Sequence, residues 1–318
     1  MHYDNKNVLI AGGAGLVGQS LITQLLAQGA HVRATQYKTR KIALRHKNLE
    51  IITCDLTNPD DARATFRDMD VAFLAAAMVG GAKRNLDATS DLIMYNLNLS
   101  SNLIALASKM NLDTCAFISS SFVYPDSVFP HSESEGFLRH PSSYGLGWIK
   151  RYLETLCTHF HMTNKTNYAI IRPTTYYGAN DNFNLDECHA IPAFLAKALT
   201  SMDPFEVWGA GNEVRSFTYV EDFTEGLLLA AAEYAVADPI NICSEETHTI
   251  NDAVSIILDV AGYSPTIIHK DDAPVSLPYV VSSANKARKL LNWEATTSLK
   301  QGIEKTWLEL TSQARAFL

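Results

Sequence analysis

The stretch "NVLIAGGAGLVGQSLITQLLAQG" (residues 7–29) joins three patterns without a break. Residues 7–12 form a short apolar run ending in glycine, the signature of a buried strand. Residues 16–29 then carry apolar side chains at helical spacing and close on Gly29, a C-terminal stop. Between them Gly12, Gly15 and Gly18 stand in a GxxGxxG arrangement. Glycines suit such a turn for three reasons: the backbone angles are unusual, the main chain must approach a pyrophosphate, and the helix must pack closely on the sheet. The helix N-terminus then offers amides to the phosphates. Expected dinucleotide contacts are therefore Gly12, Gly15, Leu16, Val17 and Gly18. A plain structural turn is the alternative, and the strand–turn–helix context at the start of a βαβ repeat argues against it.

The strand signal recurs in "HVRATQ" (31–36), "LEIITCDL" (49–56), "VAFLAAA" (71–77), "TCAFISSS" (114–121) and "YAIIRP" (168–173), each followed by enough chain for a helix. This alternation predicts an α/β fold: a Rossmann-type doubly wound parallel sheet with helices on both faces. Two long amphipathic helices are expected at 95–111 and 147–161. After residue 174 the rhythm changes to loops, a helix at 190–200, "FEVWG" (205–209), "RSFTYVEDF" (215–223), a helix near 222–234 and a last helix at 299–311. The expected organisation is a dinucleotide-binding domain over 1–174 and a smaller, discontinuous C-terminal substrate lobe over 175–318, with segments returning to the first domain.

Composition narrows the function classes. A net charge of −8 over 318 residues and a pI near 5.7 argue against nucleic acid or an anionic membrane as partner. No apolar run reaches the roughly 18 residues that span a bilayer, and the N-terminus lacks a signal-peptide layout, so a cytoplasmic location is expected. The five cysteines are scattered without a CxxC pair, which indicates neither a disulfide framework nor a zinc site. His159 and His161 are spaced by two and do not share a helical face, so no metal site is expected.

The end of the second strand decides between dinucleotides. Gln36 stands where a carboxylate would hold the ribose hydroxyls of NAD, with Arg33, Lys38, Arg40 and Lys41 around it. That pattern suits the 2′-phosphate of NADP, with NAD second; a solvated basic loop is the bland reading. Asp55, followed by Leu56, sits at the tip of the third strand, in place to meet the adenine.

With the glycine turn, "CDL" (54–56), "AAAMVGG" (75–81), "SSSFVYP" (119–125), "RPTTYYG" (172–178) and "RSFTYVED" (215–222) all in order, the chain resembles the extended short-chain dehydrogenases/reductases, the nucleotide-sugar epimerase, dehydratase and reductase group. Within it, "AAAMVGGAKRN", "DNFNLDECHAIPAFLAKAL" and "VWGAGNEVRSFTYVED" most resemble the GDP-L-fucose synthase branch, which reduces and epimerises a GDP-4-keto-6-deoxy sugar. The resemblance implies that Ser120 hydrogen-bonds the reacting sugar oxygen, with Ser121, Phe122 and Asn182 beside the substrate. It places Ala75, Ala76, Ala77, Pro173 and Thr174 against the cofactor, and Asn96 at the opening of a helix, touching active-site backbone. Arg215 is implied to bind the sugar-nucleotide diphosphate; a salt bridge to Glu221 or Asp222 is the other reading. Trp208 either walls the nucleotide pocket or belongs to the core. Helices 95–111 and 147–161 are candidates for a homodimer interface, or simply cover the sheet.

Such enzymes acidify a tyrosine with a lysine one helical turn later. In "SSYGLGWIKRYLE" (142–154), Tyr144 is followed at i+4 by Trp148, and Lys150 lies a rotation of roughly 240° away. Counting back settles the lysine: Lys150 precedes Pro173 by 23 residues, a separation compatible with the resembling family. The tyrosine position then falls on Leu146. Three readings stay open: another group or a water moves the proton; Tyr144 reaches in from an irregular turn allowed by Gly145 and Gly147; or only binding remains. In the fucose-synthase pattern a cysteine and a histidine epimerise the sugar; here Phe122 takes the cysteine position and His189 matches the histidine. His189, alone or with Cys188, is either a base or a substrate ligand or helix cap.

The expectation is thus an NAD(P)-dependent enzyme acting at C4 of a nucleoside-diphosphate sugar as reductase, epimerase or dehydratase. A cofactor-binding regulator without turnover and a redox-neutral 4-epimerase with tightly held NAD are the rivals.

Overall fold

The computed structural model describes residues 2–78, 90–142 and 145–315, with side-chain environments to residue 312. The first half alternates as β1 (Asn7–Ala11), α1 (Leu16–Ala27), β2 (His31–Gln36), β3 (Leu49–Thr53), α2 (Pro59–Thr65), β4 (Val71–Leu74), α3 (Ser90–Lys109), β5 (Thr114–Ile118), α4 (Leu146–Thr163) and β6 (Asn167–Arg172). Then come β7 (Thr175–Tyr177), α5 (Ala190–Leu199), β8 (Phe205–Trp208), β9 (Val214–Tyr219), α6 (Val220–Glu233) and β10 (Ile240–Asn241). The chain ends with β11 (Thr247–Thr249), α7 (Ile250–Ala261), β12 (Ile267–Lys270), β13 (Tyr279–Val280), α8 (Asn285–Leu291) and α9 (Leu299–Arg315).

Seven strands pair in parallel in the order β10-β6-β5-β4-β1-β2-β3. The chain leaves β1 in opposite directions, so the sheet's switch point lies between β1 and β4, where a crevice opens at the carboxyl ends of the strands. The strands read as unbroken apolar runs because both faces are covered. Val8 and Ile10 pack with Val17, Leu21 and Phe223 on one side, while Leu9 and Ala11 pack with Leu103, Leu153 and Cys157 on the other. A third cluster joins Phe194, Phe217, Tyr219, Ile257 and Ile303 beside the crevice. Its strand β9 is flanked by β11, β13 and β7.

Two local details shape what faces the crevice. Helix α3 begins at Ser90, so Asn96 lies in its second turn and does not open it, contrary to the sequence reading. Helix α4 begins at Leu146, after Gly145 as N-cap. Gly147 is therefore helical, and a Cβ on it would run into the Phe122 carbonyl and stand 2.6 Å from Pro141 Cβ. Its role is close packing rather than an irregular turn. No helix among the described residues is long and apolar enough to cross a membrane.

Candidate active site

A cleft of about 510 Å³ runs from Val17 behind the glycine turn, past Ser120 and Lys150, to Trp208 and Arg215. At one end Val17 of α1, next to the glycine turn, lines it. Gly12 has φ +94°, in the left-handed region, and a Cβ there would stand 2.7 Å from the Ala76 nitrogen. A Cβ on Gly18 would overlap the Gly12 carbonyl and lie 2.6 Å from Gly13 Cα, so α1 rests directly on the turn. Gly15 caps α1 without any side-chain hydrogen bond, and the first helical turn holds no acid. Uncapped amides at a helix start are an anion site. These residues fit a dinucleotide pyrophosphate.

At the end of β2, Gln36 is committed within the protein: its amide donates to Thr53 Oγ1 at 2.8 Å and its oxygen accepts from the Ile42 amide at 2.9 Å. Arg33 turns away from it, pairing with Glu50 at 2.7 Å and donating to the Thr65 and Arg67 carbonyls. It is thus removed from the cations grouped around Gln36 by sequence. Arg40 donates to the carbonyls of Asn180 (2.7 Å) and Asp181 (3.2 Å), tying the segment after β2 to the segment after β7. Asp55 accepts from the Thr57 hydroxyl and amide, which hold its carboxyl below the usual range. Leu56 packs on the core cluster beneath.

In the middle of the cleft, Ala75, Ala76, Ala77 and Met78 form one wall. Asn96 fixes that wall by mimicking a strand: its oxygen accepts from the Met78 amide and its nitrogen donates to the Met78 carbonyl, both at 2.9 Å. Opposite, Ser120 caps the 3-10 turn Ser121–Val123, its Oγ accepting from the Phe122 amide at 3.1 Å. The serine proton is left to donate into the cleft. The Ser121 amide donates to the Pro173 carbonyl at 2.9 Å, and Ser121, Phe122, Pro173 and Thr174 all line the cleft. Thr174 accepts from Ser216 at 3.0 Å.

Lys150 also lines this part, with its Nζ donating to the Ile118 carbonyl at 2.8 Å and lying 4.8 Å from the centre of the Phe117 ring. Burial pulls its pKa down to about 8. One turn earlier on the same face is Leu146, likewise on the cleft wall. Tyr144 lies outside the described residues.

Behind Lys150 runs a buried polar network that no sequence motif announced. Arg172 makes a two-pronged pair with Glu154, at 2.9 and 2.7 Å, with relative exposures of 0% and 1%. Ser119 donates to the same carboxylate. Arg172 also donates to the Glu133 carbonyl and to Tyr124, whose hydroxyl donates to Asn241. The network ties α4, β6 and β10 together under the cleft. Its bonded partners are 18 or more residues apart in sequence, so only the fold reveals them.

At the far end, His189 is the N-cap of α5 by its backbone, and its side chain makes no capping bond. It lines the cleft beside Cys188, whose thiol is pushed up to about 11 by burial. Asp181 gives one oxygen to the Asn182 amide at 2.7 Å, and its other oxygen is buried without a partner. Burial raises its pKa, against the pull of His189 and Arg40. Asn182 holds this loop through the Asn184 amide at 3.1 Å. Trp208 is 37% exposed and sits on the cleft wall, not in the core. Arg215 is buried and donates to the Val214 and Leu277 carbonyls. The alternative ion pair to Asp222 is not formed: that carboxylate accepts from Thr296 and Thr297. Tyr177 is a packing residue, bonded to the Leu299 carbonyl, whereas Tyr176 stacks on Phe223 with centroids 4.9 Å apart and also touches the cleft.

A family model described as "NAD dependent epimerase/dehydratase family" matches residues 8–243. The chain belongs to the NAD dependent epimerase/dehydratase family. Several relatives match nearly end to end. A GDP-L-fucose synthase of Sinorhizobium fredii (strain NBRC 101917 / NGR234) is 26% identical, over 97% of this chain and 96% of its own length. A dTDP-4-dehydro-6-deoxy-D-allose reductase of Streptomyces sp is 26% identical, over 96% and 97%. The GDP-L-fucose synthase of Escherichia coli (strain K12) is 28% identical, over 95% of each chain. Among solved structures, UDP-glucose 4-epimerase of Thermotoga maritima, determined with UDP-glucose, superposes with a TM-score of 0.87 at 21% identity, covering 97% of this chain and 99% of that one. UDP-glucuronic acid 4-epimerase of Bacillus cereus, in complex with UDP-glucuronic acid and NAD, gives 0.84 at 23%, covering 96% and 99%. These last two likenesses establish the epimerase/dehydratase fold over almost the whole chain.

Proposed function

We propose that this protein is an NAD(P)-dependent enzyme acting at C4 of a nucleoside-diphosphate sugar, with a GDP-4-keto-6-deoxy sugar as the favoured substrate class. The observation that carries the reading is the single cleft linking an uncapped glycine-turn helix to Ser120, Lys150 and then Arg215. The fucose synthases and the deoxyallose reductase among its relatives favour reduction of a 4-keto group.

In this reading residues 1–174 supply most of the dinucleotide site and the later chain most of the sugar-nucleotide site. Bound dinucleotide supplies or accepts hydride. Ser120 hydrogen-bonds the C4 oxygen through its free hydroxyl proton, Lys150 anchors the nicotinamide ribose, and Asn96 keeps the facing wall in register. Arg215 offers its remaining guanidinium face to the diphosphate, a planar donor suited to that group, and Trp208 walls the base. His189 binds the sugar or moves one proton. Epimerisation by a cysteine–histidine pair is not supported, because Phe122 has no proton to exchange. NADP is preferred over NAD because Gln36 presents no carboxylate to a ribose hydroxyl. A homodimer formed through α3 and α4 would cover Met94, Trp148 and Tyr152, which are exposed at 48%, 42% and 56%.

Loss of NADPH absorbance at 340 nm with a panel of GDP-, UDP-, dTDP- and CDP-4-keto sugars tests the reading. Turnover with at least one is expected, and Ser120→Ala should lower kcat by about 10²-fold or more. Leu146 in the tyrosine position favours a second reading, a binding protein without turnover. Tight NADP binding with no absorbance change across the panel would support that instead. Dinucleotide co-purifying with the protein would point to a redox-neutral 4-epimerase.

A further inference from the structure

We propose that Lys150 is itself the proton donor to the C4 oxygen, taking over the task of the phenol that Leu146 replaces. The inference rests on the proposed C4 chemistry and deepens it. Leu146 and Lys150 stand one helical turn apart on the same face of α4, and both line the cleft with Ser120. A side chain at the first position can shield the site from water but carries no proton. One helical turn on, the same face carries the Lys150 ammonium. Among the described residues its acceptor is the Ile118 carbonyl at 2.8 Å. An ammonium has three donors, so two remain for ligands.

Ser120 supports the same route. Its oxygen already accepts from the Phe122 amide, and so it has one proton to give and one lone pair to receive. A serine in that state either shares the C4 oxygen with Lys150 or passes the lysine's proton on. In the reducing direction C4 takes up a hydride, with its two electrons from the reduced nicotinamide. The carbonyl π pair moves to oxygen, the oxygen takes a proton from Nζ, and the neutral amine is reprotonated by water. The oxidising direction is the reverse, with the neutral amine as base.

The surroundings suit a lysine that must part with a proton. On its own helix it faces Glu154 and Cys157. Glu154 is spent on Arg172 of β6 and on Ser119, and burial raises the Cys157 thiol well above its ordinary value. Cys115 of β5 is likewise buried and raised. Asn96 and Ser100 of α3 line the same cleft without charge. Burial outweighs the opposing pull of Glu154, whose charge is shared with Arg172, and brings Lys150 down to about 8, close to an operating pH. The sign follows directly. The ammonium form is complete below about 8, so reduction is flat there and falls about tenfold per unit above it, while oxidation rises to a plateau above the same value.

Two measurements test this. In apoprotein carrying ¹³Cε-lysine, with the Lys150 signal assigned by its loss in Lys150→Arg, the expected titration midpoint is near 8, against about 10.4 for exposed lysines. With any 4-keto sugar nucleotide that turns over, Lys150→Arg is expected to keep NADP affinity within about threefold yet lower kcat by about 10²–10⁴-fold. Leu146→Tyr is expected to move the alkaline limb of the kcat profile. A Lys150 midpoint above 10, an unimpaired Lys150→Arg, or an equal loss in Tyr144→Phe overturns the inference while leaving C4 chemistry standing. No turnover of any sugar nucleotide overturns the C4 reading and this one with it.

Discussion

Glu154→Ala is expected to destabilise the protein by about 3–5 kcal/mol, because it leaves the Arg172 guanidinium buried without its partner. Arg172 has 0% relative exposure and Glu154 1%, so bulk solvent does not reach the guanidinium to compensate for the lost carboxylate. Ser119 loses its acceptor in the same change. The midpoint and slope of urea unfolding measure this, and the slope should stay constant while the midpoint falls. By contrast, breaking the Lys300–Asp259 pair, exposed at 56% and 68% on its two side chains, should leave the midpoint unchanged. If both substitutions have the same small effect, the network is not holding α4 against β6. A combined Glu154→Leu, Arg172→Met variant should recover part of the loss, since replacing both partners of a buried pair is far less costly than removing one.

Gly18→Ala is expected to weaken NADP binding by more than about tenfold, at least about 1.4 kcal/mol. The added methyl would meet the Gly12 carbonyl and stand 2.6 and 2.8 Å from Gly13 Cα and carbonyl carbon. All three are main-chain atoms of the turn, with no flexible side chain to move aside. Helix α1 must then lift from the turn, and its uncapped amides move with it. Calorimetric titration with NADP reads the change. Gly15→Ala is the internal comparison, because a Cβ there meets only the Gly12 carbonyl at 3.5 Å. Gly15 also has φ −78°, which any residue adopts. The expected order of damage is therefore Gly18 well above Gly15, and an equal loss at both would contradict a clash inside the protein's own turn as the cause.

That contrast also shows what the sequence makes legible. β1, the glycine turn and α1 are local: apolar run, glycine spacing and amphipathic period lie within 23 residues, and the structure places strand and helix within two residues of the expected bounds. The parallel sheet is legible for a related reason, since strands buried on both faces carry unbroken apolar runs. Short strands fail this test. Ile240–Asn241 is a strand only because it pairs with Ile171 and Arg172 across the fold, and two residues carry no period. Tyr279–Val280, paired with β9, fails for the same reason.

Ser120, Lys150, Pro173, Thr174 and Arg215 could be placed on the cleft wall by motif order, because the spacing between elements of the sheet is dictated by helix and strand length. The partners of these side chains could not. Arg33 and Arg40 look alike in "VRATQYKTRK", yet one pairs with Glu50 on the outer strand and the other with the carbonyls of Asn180 and Asp181. Glu154 and Arg172 read as ordinary charges of a helix and a strand end. Only the approach of α4 to β6 turns them into a buried pair, and with it places beside Lys150 a carboxylate already paired with Arg172.

The most direct test of the whole account is to follow a labelled hydride. Protein incubated with [4-²H]NADPH, the label on the transferred face, and a GDP-4-keto-6-deoxy sugar should give a product carrying deuterium at C4, seen as loss of the C4 proton signal by NMR. Deuterium remaining wholly on the cofactor, with the sugar recovered unreduced from this and the UDP-, dTDP- and CDP-linked analogues, would contradict it.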